Sequence, residues 1–300
     1  MTTIKAKKAL IEVRPYKQGK SDIKGVVEPI KLSSNESPYP PSPKAVKAYQ
    51  RIETVLGRYP DGAQTELCSV LAKLHGVPKD NIFAGNGSEE AIGLIVRAVL
   101  EPGDEIIVSK NSFIMTEKYA RSVGAEVIKC GELDQRVDVD AMLAATCERT
   151  KIVYLCSPNN PTGTYTSAQE LKRLIARLPD NVLFLMDAAY AEFADAPDYS
   201  DGLSFFSPEG RVAVTRTFSK AYGLAGLRIG YAIAPNAVVD AVSRLRTPFN
   251  ANSAAMAAAT AAALDQKFLQ NNVSKVRATR EVFSSGLREL GLTVIPSQAN

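Results

Sequence analysis

The chain has 300 residues, of which 45% are hydrophobic and 23% charged, as expected for a globular protein with a sizeable core. Its 36 basic and 32 acidic residues give a net charge of +4, which is too balanced to indicate a nucleic-acid or membrane partner. The single histidine, His75, excludes a metal site built from several histidines. We therefore expect no metal, and we expect proton transfer, if this is an enzyme, to use another side chain.

The cellular compartment is indicated by cysteines and by apolar runs. The four cysteines lack CxxC spacing and are typical of reduced, mostly buried thiols in a cytosolic protein. No apolar segment of a signal peptide follows the N-terminal lysines. The alanine-rich run 254–264 is too short to cross a bilayer. We expect a cytoplasmic protein.

The first part of the chain is predicted to be a lightly structured arm, residues 1–31, followed by an extended loop over 32–43. Four prolines in that loop oppose both helix and sheet. Ser42 and Pro43 suit the N-cap and first position of a helix. Further on, a short strand leads into the glycine turn G-N-G-S-E-E at 85–90, which begins the next helix. A helix N-terminus after such a turn suits anion binding, although the third glycine of a dinucleotide fingerprint is missing.

Short apolar runs predict a seven-stranded sheet, with strands at 81–84, 105–109, 125–130, 151–156, 182–187, 211–215 and 228–234. Helical patterns lie between most of them, so we expect an α/β fold: a mostly parallel sheet with helices on both faces. The link 215–228 is too short for a helical crossover. The last strand is therefore predicted to run antiparallel.

After residue 235 the pattern becomes mostly helical, with helices predicted at 235–246, 252–264 and 266–290 and a strand at 292–295. His75 is expected to be an ordinary surface or capping residue before Gly76, which suits a helix C-cap. The predicted organisation is an N-terminal arm at 1–31, a large domain at 32–247, and the start of a smaller α+β domain at 248–300 that looks incomplete.

Three predicted strand ends carry polar residues, and ligands bind at the carboxyl ends of strands in such sheets. They are S-P-N-N-P-T-G at 157–163, Asp187 with Tyr190, and T-F-S-K with Lys220. Glycines and Arg228 follow Lys220, which suits a lysine that forms a Schiff base with a phosphate-bearing carbonyl cofactor. A buried acid at a strand end costs several kcal/mol unless it meets a cation such as a protonated pyridine nitrogen.

Each of these features also has a plainer interpretation when taken alone. Lys220 suits a surface lysine in a glycine-rich turn, and Asp187 suits a helix N-cap. Asn160 suits a simple Asn-Asn-Pro turn, and Tyr190 suits a core tyrosine.

Together, S-P-N-N-P-T-G, D-x-x-Y and S-K-x-x-x-L-x-G-x-R-x-G resemble the fold-type I pyridoxal-phosphate enzymes of the aspartate aminotransferase superfamily. Within it, P-Y-x-x-G-K at 15–20, L-S-S-N-E-S-P at 32–38 and R-Y-P-D at 58–61 are similar to the histidinol-phosphate aminotransferase family. The resemblance implies pyridoxal 5'-phosphate as the cofactor, a homodimer, and transamination between histidinol phosphate and 2-oxoglutarate in histidine biosynthesis.

The resemblance also implies roles for individual residues. Lys220 would bind the cofactor covalently and then move the substrate proton, Asp187 would pair with the pyridine nitrogen, and Tyr190 would bind the phenolic oxygen. The other implied cofactor contacts are Asn160 at the phenolic oxygen, Phe113 on the ring, Ser88, Glu89, Thr217, Ser219 and Arg228 at the phosphate, and Tyr59 at the phosphate of the partner subunit's cofactor. The implied substrate contacts are Tyr16, Asn35 and Asn160.

Other functions remain open at this stage. An aromatic amino-acid aminotransferase and a threonine-phosphate decarboxylase fit the same fold. A dinucleotide-binding oxidoreductase would use the glycine turn at 85–90. A catalytically silent relative would bind pyridoxal phosphate without turnover.

Overall fold

The computed structural model describes residues 4, 7–11, 13, 15–17, 19–20 and 22–300. Its strands, in chain order, are β1 (Ile82–Gly85), β2 (Glu105–Ser109), β3 (Glu126–Cys130), β4 (Glu132–Leu133), β5 (Arg136–Val137), β6 (Thr150–Cys156), β7 (Leu183–Asp187), β8 (Val212–Thr217) and β9 (Gly230–Ile233). Strands β4 and β5 form a separate hairpin, and the other seven strands form one sheet.

The α-helices surround this sheet. They are α1 (Lys8–Ile11), α2 (Pro43–Gln50), α3 (Thr65–His75), α4 (Gly87–Val99), α5 (Ile114–Ser122), α6 (Val139–Ala144), α7 (Ala168–Arg177), α8 (Asn236–Leu245), α9 (Ser253–Ala263) and α10 (Gln266–Glu289). Short 3₁₀ helices span Arg51–Val55, Lys79–Asn81, Ala191–Phe193, Leu203–Phe205 and Ala225–Leu227. Within the described part of the chain, no helix combines the length and the apolar character that a membrane crossing requires.

The strand order is β1-β9-β8-β7-β6-β2-β3, which confirms the predicted seven-stranded sheet. Strand β9 is antiparallel to both of its neighbours, β1 and β8, whereas the remaining pairs are parallel. The connection from β8 to β9 contains only a 3₁₀ turn, Ala225–Leu227, which is too short to return the chain to the opposite end of the sheet. The prediction of an antiparallel last strand is therefore confirmed.

Alternation along the strands divides the core between the two faces of the sheet. On β7, Leu183 and Leu185 pack against one hydrophobic cluster, which includes residues of α4 and α8. Phe184 and Met186 point the other way, into a cluster that includes residues of α6 and α7. Because successive side chains of a strand point to opposite faces, a continuous apolar strand is buried on both sides. Helices therefore cover both faces, as predicted.

Side-chain caps mark the starts of α2, predicted at Ser42 and Pro43, and of α7. The Ser42 hydroxyl accepts a hydrogen bond from the backbone N–H of Lys44 at the start of α2. At the start of α7, the Ser167 hydroxyl accepts from the backbone N–H of Glu170. Both caps satisfy N–H groups that have no partner within the helix.

Two details differ from the sequence-based predictions. Residues 292–295 form no strand, and Leu292 and Ile295 stay partly exposed. A strand needs a neighbouring strand for its backbone hydrogen bonds, and the described residues supply none at this place. Gly76 is the left-handed C-cap of α3, as predicted, but His75 is not a plain surface residue: its Nε2 lies 2.6 Å from the buried Tyr231 hydroxyl. The prediction of mostly buried thiols is confirmed, since three of the four free cysteines are buried and Cys147 is exposed.

Candidate functional site

A cavity of about 530 Å³ opens at the carboxyl ends of β6, β7 and β8. It brings together most of the residues that the sequence singled out. Those that line it are Tyr16, Ser88, Glu89, Phe113, Asn160, Asp187, Tyr190, Thr217, Ser219, Lys220 and Arg228. Widely separated parts of the sequence thus meet at one edge of the sheet, where ligands bind in folds of this architecture.

One end of the cavity is built to receive an anion. The N-terminus of α4 points into it, so the first N–H groups of the helix, around Ser88, are directed into the cavity. The guanidinium of Arg228 lies beside this turn and contacts the Ser219 hydroxyl at 3.5 Å. Gly87 has a φ of +80°, and a Cβ there would come within 2.7 Å of an Arg228 nitrogen. The glycine turn is therefore required for the cation and the helix N-terminus to converge.

The other end of the cavity holds a buried carboxylate. Asp187 ends β7 with only 4% of its surface exposed. Tyr154 donates a hydrogen bond to its Oδ2 at 3.0 Å, and Thr215 donates to its Oδ1 at 3.1 Å. Burial raises the pKa of Asp187, while these two hydrogen bonds, the backbone N–H of Ala189 and the charge of Lys220 act in the opposite direction. A buried carboxylate of this kind is stabilised when a cationic ligand binds next to it.

Lys220 extends into the same cavity. Its Nζ donates a hydrogen bond to the backbone carbonyl of Ser34 at 3.0 Å and lies 5.7 Å from the ring centre of Tyr190. Burial, followed by the nearby charge of Arg228, lowers the pKa of Lys220, although Glu36 and Asp187 oppose this. A lowered pKa makes the neutral, nucleophilic amine more accessible.

Two of the three predicted substrate contacts, Asn35 and Tyr16, come from the N-terminal part of the chain, whereas Asn160 lines the cavity after β6. Asn35 does not line the cavity itself, but its side-chain amide donates a hydrogen bond to the Tyr190 hydroxyl at 3.1 Å. Asn35 has a φ of +50°, a left-handed conformation that asparagine tolerates better than most residues. Tyr16 lines the cavity directly, and Lys118 lies 5.7 Å from the centre of its ring.

Tyr59 lies outside the cavity of its own chain. Its side chain is 83% exposed and stacks on Phe249, with ring centres 4.7 Å apart. Glu89 does reach the cavity, but its carboxylate accepts a hydrogen bond from the Tyr119 hydroxyl at 3.2 Å. Because a carboxylate repels an anion, the backbone N–H of Glu89, and not its side chain, is the group suited to the anion end of the cavity.

Sequence reasoning missed several residues of the site. Lys31 and Glu36 line the cavity and form an ion pair at 2.9 Å. Glu36 lies in the loop motif at 32–38, which was a usable signal. Tyr154 and Thr215 gave no signal, because their bonds to Asp187 depend on how three strands are aligned.

The residues present fit a phosphate-bearing pyridine aldehyde. The helix N-terminus and Arg228 provide donors for a phosphate, and Lys220 provides the amine that reacts with an aldehyde. Asp187 provides the carboxylate that a protonated ring nitrogen needs. The cavity therefore suits chemistry that depends on an electron-withdrawing cofactor and one mobile proton.

Comparisons with known proteins agree with this geometry. Residues 27–300 match the family model described as aminotransferase class I and II. The histidinol-phosphate aminotransferase of Maricaulis maris is 42% identical over 297 residues, covering 99% of this chain and 82% of that protein. The histidinol-phosphate aminotransferase of Rhodospirillum centenum is 41% identical over 291 residues, covering 97% and 80%. The crystal structure of histidinol-phosphate aminotransferase from Sinorhizobium meliloti in complex with pyridoxal-5'-phosphate has a TM-score of 0.84 and 30% identity, covering 89% of this chain and 73% of that one.

Proposed function

We propose that this chain, which belongs to the aminotransferase class I and II family, transfers the amino group of histidinol phosphate to 2-oxoglutarate. The products are imidazole-acetol phosphate and glutamate, and the reaction belongs to histidine biosynthesis. Its cofactor is pyridoxal 5'-phosphate, and its fold is the predicted fold-type I α/β fold. The observation that carries the proposal is the convergence of Lys220, Asp187 and Arg228 on one cavity.

Two ends of the cavity would hold the cofactor. The phosphate end is the α4 N-terminus, with the side chains of Thr217, Ser219 and Arg228. The ring end is Asp187, whose carboxylate keeps a pyridine nitrogen protonated, while Phe113 lies at the cavity wall. Bound pyridoxal phosphate supplies an electron-withdrawing ring that stabilises negative charge at the substrate carbon.

Lys220 is proposed to act twice, each time through its Nζ atom. Its Nζ would hold the cofactor aldehyde before substrate binds, and it would be free again once the substrate amine has bound there in its place. The free Nζ would then take the proton from the substrate carbon that bears the amino group and deliver it to the neighbouring carbon on the cofactor side. Burial, which lowers the pKa of Lys220, favours the neutral amine that this transfer requires. The Ser34 carbonyl, 3.0 Å away, provides a fixed acceptor for the amine.

Tyr190 and Asn160 are proposed to bind the phenolic oxygen of the cofactor, and Tyr16 and Asn35 to line the substrate end. Support comes from their positions: Tyr190, Asn160 and Tyr16 line the cavity, and Asn35 donates to the Tyr190 hydroxyl. Because the Tyr190 oxygen accepts the hydrogen bond from Asn35, its O–H group stays available to donate to the phenolic oxygen.

We further propose a cytoplasmic homodimer in which Tyr59 contacts the phosphate of the cofactor in the partner subunit. The exposed aromatic ring of Tyr59, its stacking on Phe249, and the exposed Leu56 nearby in sequence support a second copy on this surface. Mixing Lys220→Ala and Tyr59→Ala proteins tests this. A mixed dimer has one intact site if Tyr59 acts across the interface, so activity should reappear. Activity that stays absent would contradict this role of Tyr59.

Steady-state assays with several amino donors test the proposed reaction. We expect glutamate to form from 2-oxoglutarate much faster with histidinol phosphate than with phenylalanine or tyrosine. Carbon dioxide release from threonine phosphate would instead indicate the decarboxylase. A preference for an aromatic amino acid would replace histidinol phosphate as the substrate without changing the class of reaction.

A further inference from the structure

Two hydroxyl groups hold the Asp187 carboxylate from behind, one on each oxygen atom. We propose that Tyr154 is a positioning residue: its phenol, together with the Thr215 hydroxyl, keeps Asp187 ionised and oriented toward the pyridine nitrogen of the cofactor. The proposal rests on the proposed placement of that nitrogen at Asp187. Neither Tyr154 nor Thr215 lines the cavity, so each acts on the cofactor only through the carboxylate.

The alignment of three parallel strands creates this arrangement. Asp187 of β7 lies opposite Cys156 of β6 on one side and Thr215 of β8 on the other. Tyr154 lies two residues before Cys156 and therefore on the same face of the sheet. Its long side chain spans the remaining distance to Oδ2. The three side chains that meet are thus fixed by strand register and not by a flexible loop.

Both hydroxyl donors are fully buried. Tyr154 and Thr215 each have 0% of their surface exposed, so bulk water has no access to either hydroxyl. Because each carboxylate oxygen has its own donor, the Asp187 side chain loses hydrogen bonds if it rotates. Hydrogen bonds to a charged acceptor are stronger than those between neutral groups.

The surroundings make the charge of Asp187 depend on these donors. Burial raises its pKa, and the hydrogen bonds from Tyr154 and Thr215 are the largest opposing influences, ahead of the more distant charge of Lys220. The titratable groups that face it are Tyr154 and Cys156 of β6, Tyr190 of the following loop, and Lys220. A protonated Asp187 no longer attracts a protonated ring nitrogen. Loss of the Tyr154 hydroxyl should therefore weaken cofactor binding, although Tyr154 does not line the cavity.

The test compares Tyr154→Phe with the wild-type protein, using two ligands. One ligand is pyridoxal phosphate and the other is its analogue in which a C–H group replaces the ring nitrogen. We expect the dissociation constant for pyridoxal phosphate to rise about tenfold in the variant, as for loss of a hydrogen bond to a charged group. The constant for the analogue should not change, because the analogue carries no nitrogen for Asp187 to contact. Thr215→Val should show the same pattern.

Tyr231→Phe is the matched control. Tyr231 is another buried tyrosine of the sheet, with its hydroxyl bonded to His75 and not to Asp187. We expect it to bind both ligands as the wild type does. If Tyr154→Phe fails to fold, Thr215→Val decides the matter alone.

Unchanged binding of pyridoxal phosphate by Tyr154→Phe and Thr215→Val would overturn the positioning role. Equal weakening for both ligands would also overturn it, because that is the result of a general packing defect. A wild-type protein that binds pyridoxal phosphate no better than the analogue would overturn the placement of the ring nitrogen on which the inference rests.

Discussion

Two arginines of the same strand–loop–strand unit are in opposite electrostatic situations. Arg216, in β8, has 7% of its surface exposed and donates to Asp201 at 2.6 Å and to Glu192 at 2.9 Å. Arg228, just before β9, faces the cavity, with the Ser219 hydroxyl and the Ala225 carbonyl as its hydrogen-bond partners. Among the described residues, Arg228 forms no ion pair.

The alternation of side chains along β8 explains how these two environments coexist. Thr215 and Thr217 point to the face that holds Asp187 and the cavity, whereas Arg216, between them, points to the opposite face. The side chains of Arg216 and Glu192 are buried and that of Asp201 is partly exposed; we call these three residues the buried ion triad. Charged side chains that are paired within the chain maintain the fold, whereas a charged side chain that faces a cavity without an ion pair indicates a ligand of opposite charge.

The largest effect is expected from the lysine of the open site. Lys220→Ala should abolish turnover, because it removes both the amine that holds the cofactor and the group that moves the proton. Lys44→Ala is the matched control, since Lys44 already has a partner, Asp265, at 2.9 Å. It should leave turnover unchanged. A Lys220→Ala protein with a near-normal rate in a glutamate-release assay would contradict the role of Lys220.

Two aspartates extend the comparison. Asp187→Asn should lower turnover by about 10²- to 10³-fold, the range for loss of one preorganised electrostatic contact. Asp201→Asn changes an acid of the buried ion triad in the same way and should leave turnover per folded molecule unchanged. Rates normalised to the folded fraction make the comparison. Equal losses of turnover in both variants would contradict the distinction between the cavity carboxylate of Asp187 and the ion-paired carboxylate of Asp201.

The two arginines should separate stability from cofactor binding. Arg216→Met leaves Glu192 buried without its partner, and we expect the free energy of unfolding to fall by about 3–5 kcal/mol. Arg228→Met should leave that free energy nearly unchanged but weaken pyridoxal phosphate binding about tenfold or more, because a charge-assisted contact to phosphate is lost. Urea unfolding of the cofactor-free proteins and cofactor titration measure the two quantities. The reverse pattern would assign the anion site to Arg216.

The smallest effect concerns His75, which lies near the buried ion triad. Burial, and to a lesser degree the charge of Arg216, lowers the pKa of His75 to about 4, with Asp201 acting in the opposite direction. An unfolded histidine titrates near 6.5, so the unfolded chain binds more protons between these two values. The contribution of His75 to stability is therefore complete above about pH 6.5 and is lost as the pH falls toward 4.

His75→Gln removes this titration. We expect the variant to lose about 1–3 kcal/mol less stability than the wild type between pH 7 and pH 4, from the size of such a pKa shift. Urea unfolding at a series of pH values measures the difference. Parallel curves for the two proteins would show that His75 is not buried in its neutral form.

The sheet was predictable because its signals are local. Short apolar runs marked the strands, and the short link between the last two strands indicated that β9 is antiparallel. The strand predicted at 292–295 was wrong, because a pattern of apolar residues does not reveal whether a neighbouring strand is available. The proposed domain boundary at 247 stays a prediction.

A site residue was predictable where the sequence immediately around it is distinctive. Lys220 in a glycine-rich loop and Asp187 at the end of an apolar strand stand out in the sequence. Tyr154 does not, because tyrosine is common in strands and its bond to Asp187 depends on the register of β6 against β7. Arg216 was likewise unassigned, since its two acidic partners lie on loops that only the folded chain brings together.

The first experiment is to follow the visible absorbance of the purified protein loaded with pyridoxal phosphate, first with histidinol phosphate and then with 2-oxoglutarate. Transamination requires the cofactor to take the amino group from one compound and to give it to the other. We expect histidinol phosphate to replace the starting band with that of the aminated cofactor, and 2-oxoglutarate to restore it. A band that neither compound changes would contradict the proposed reaction.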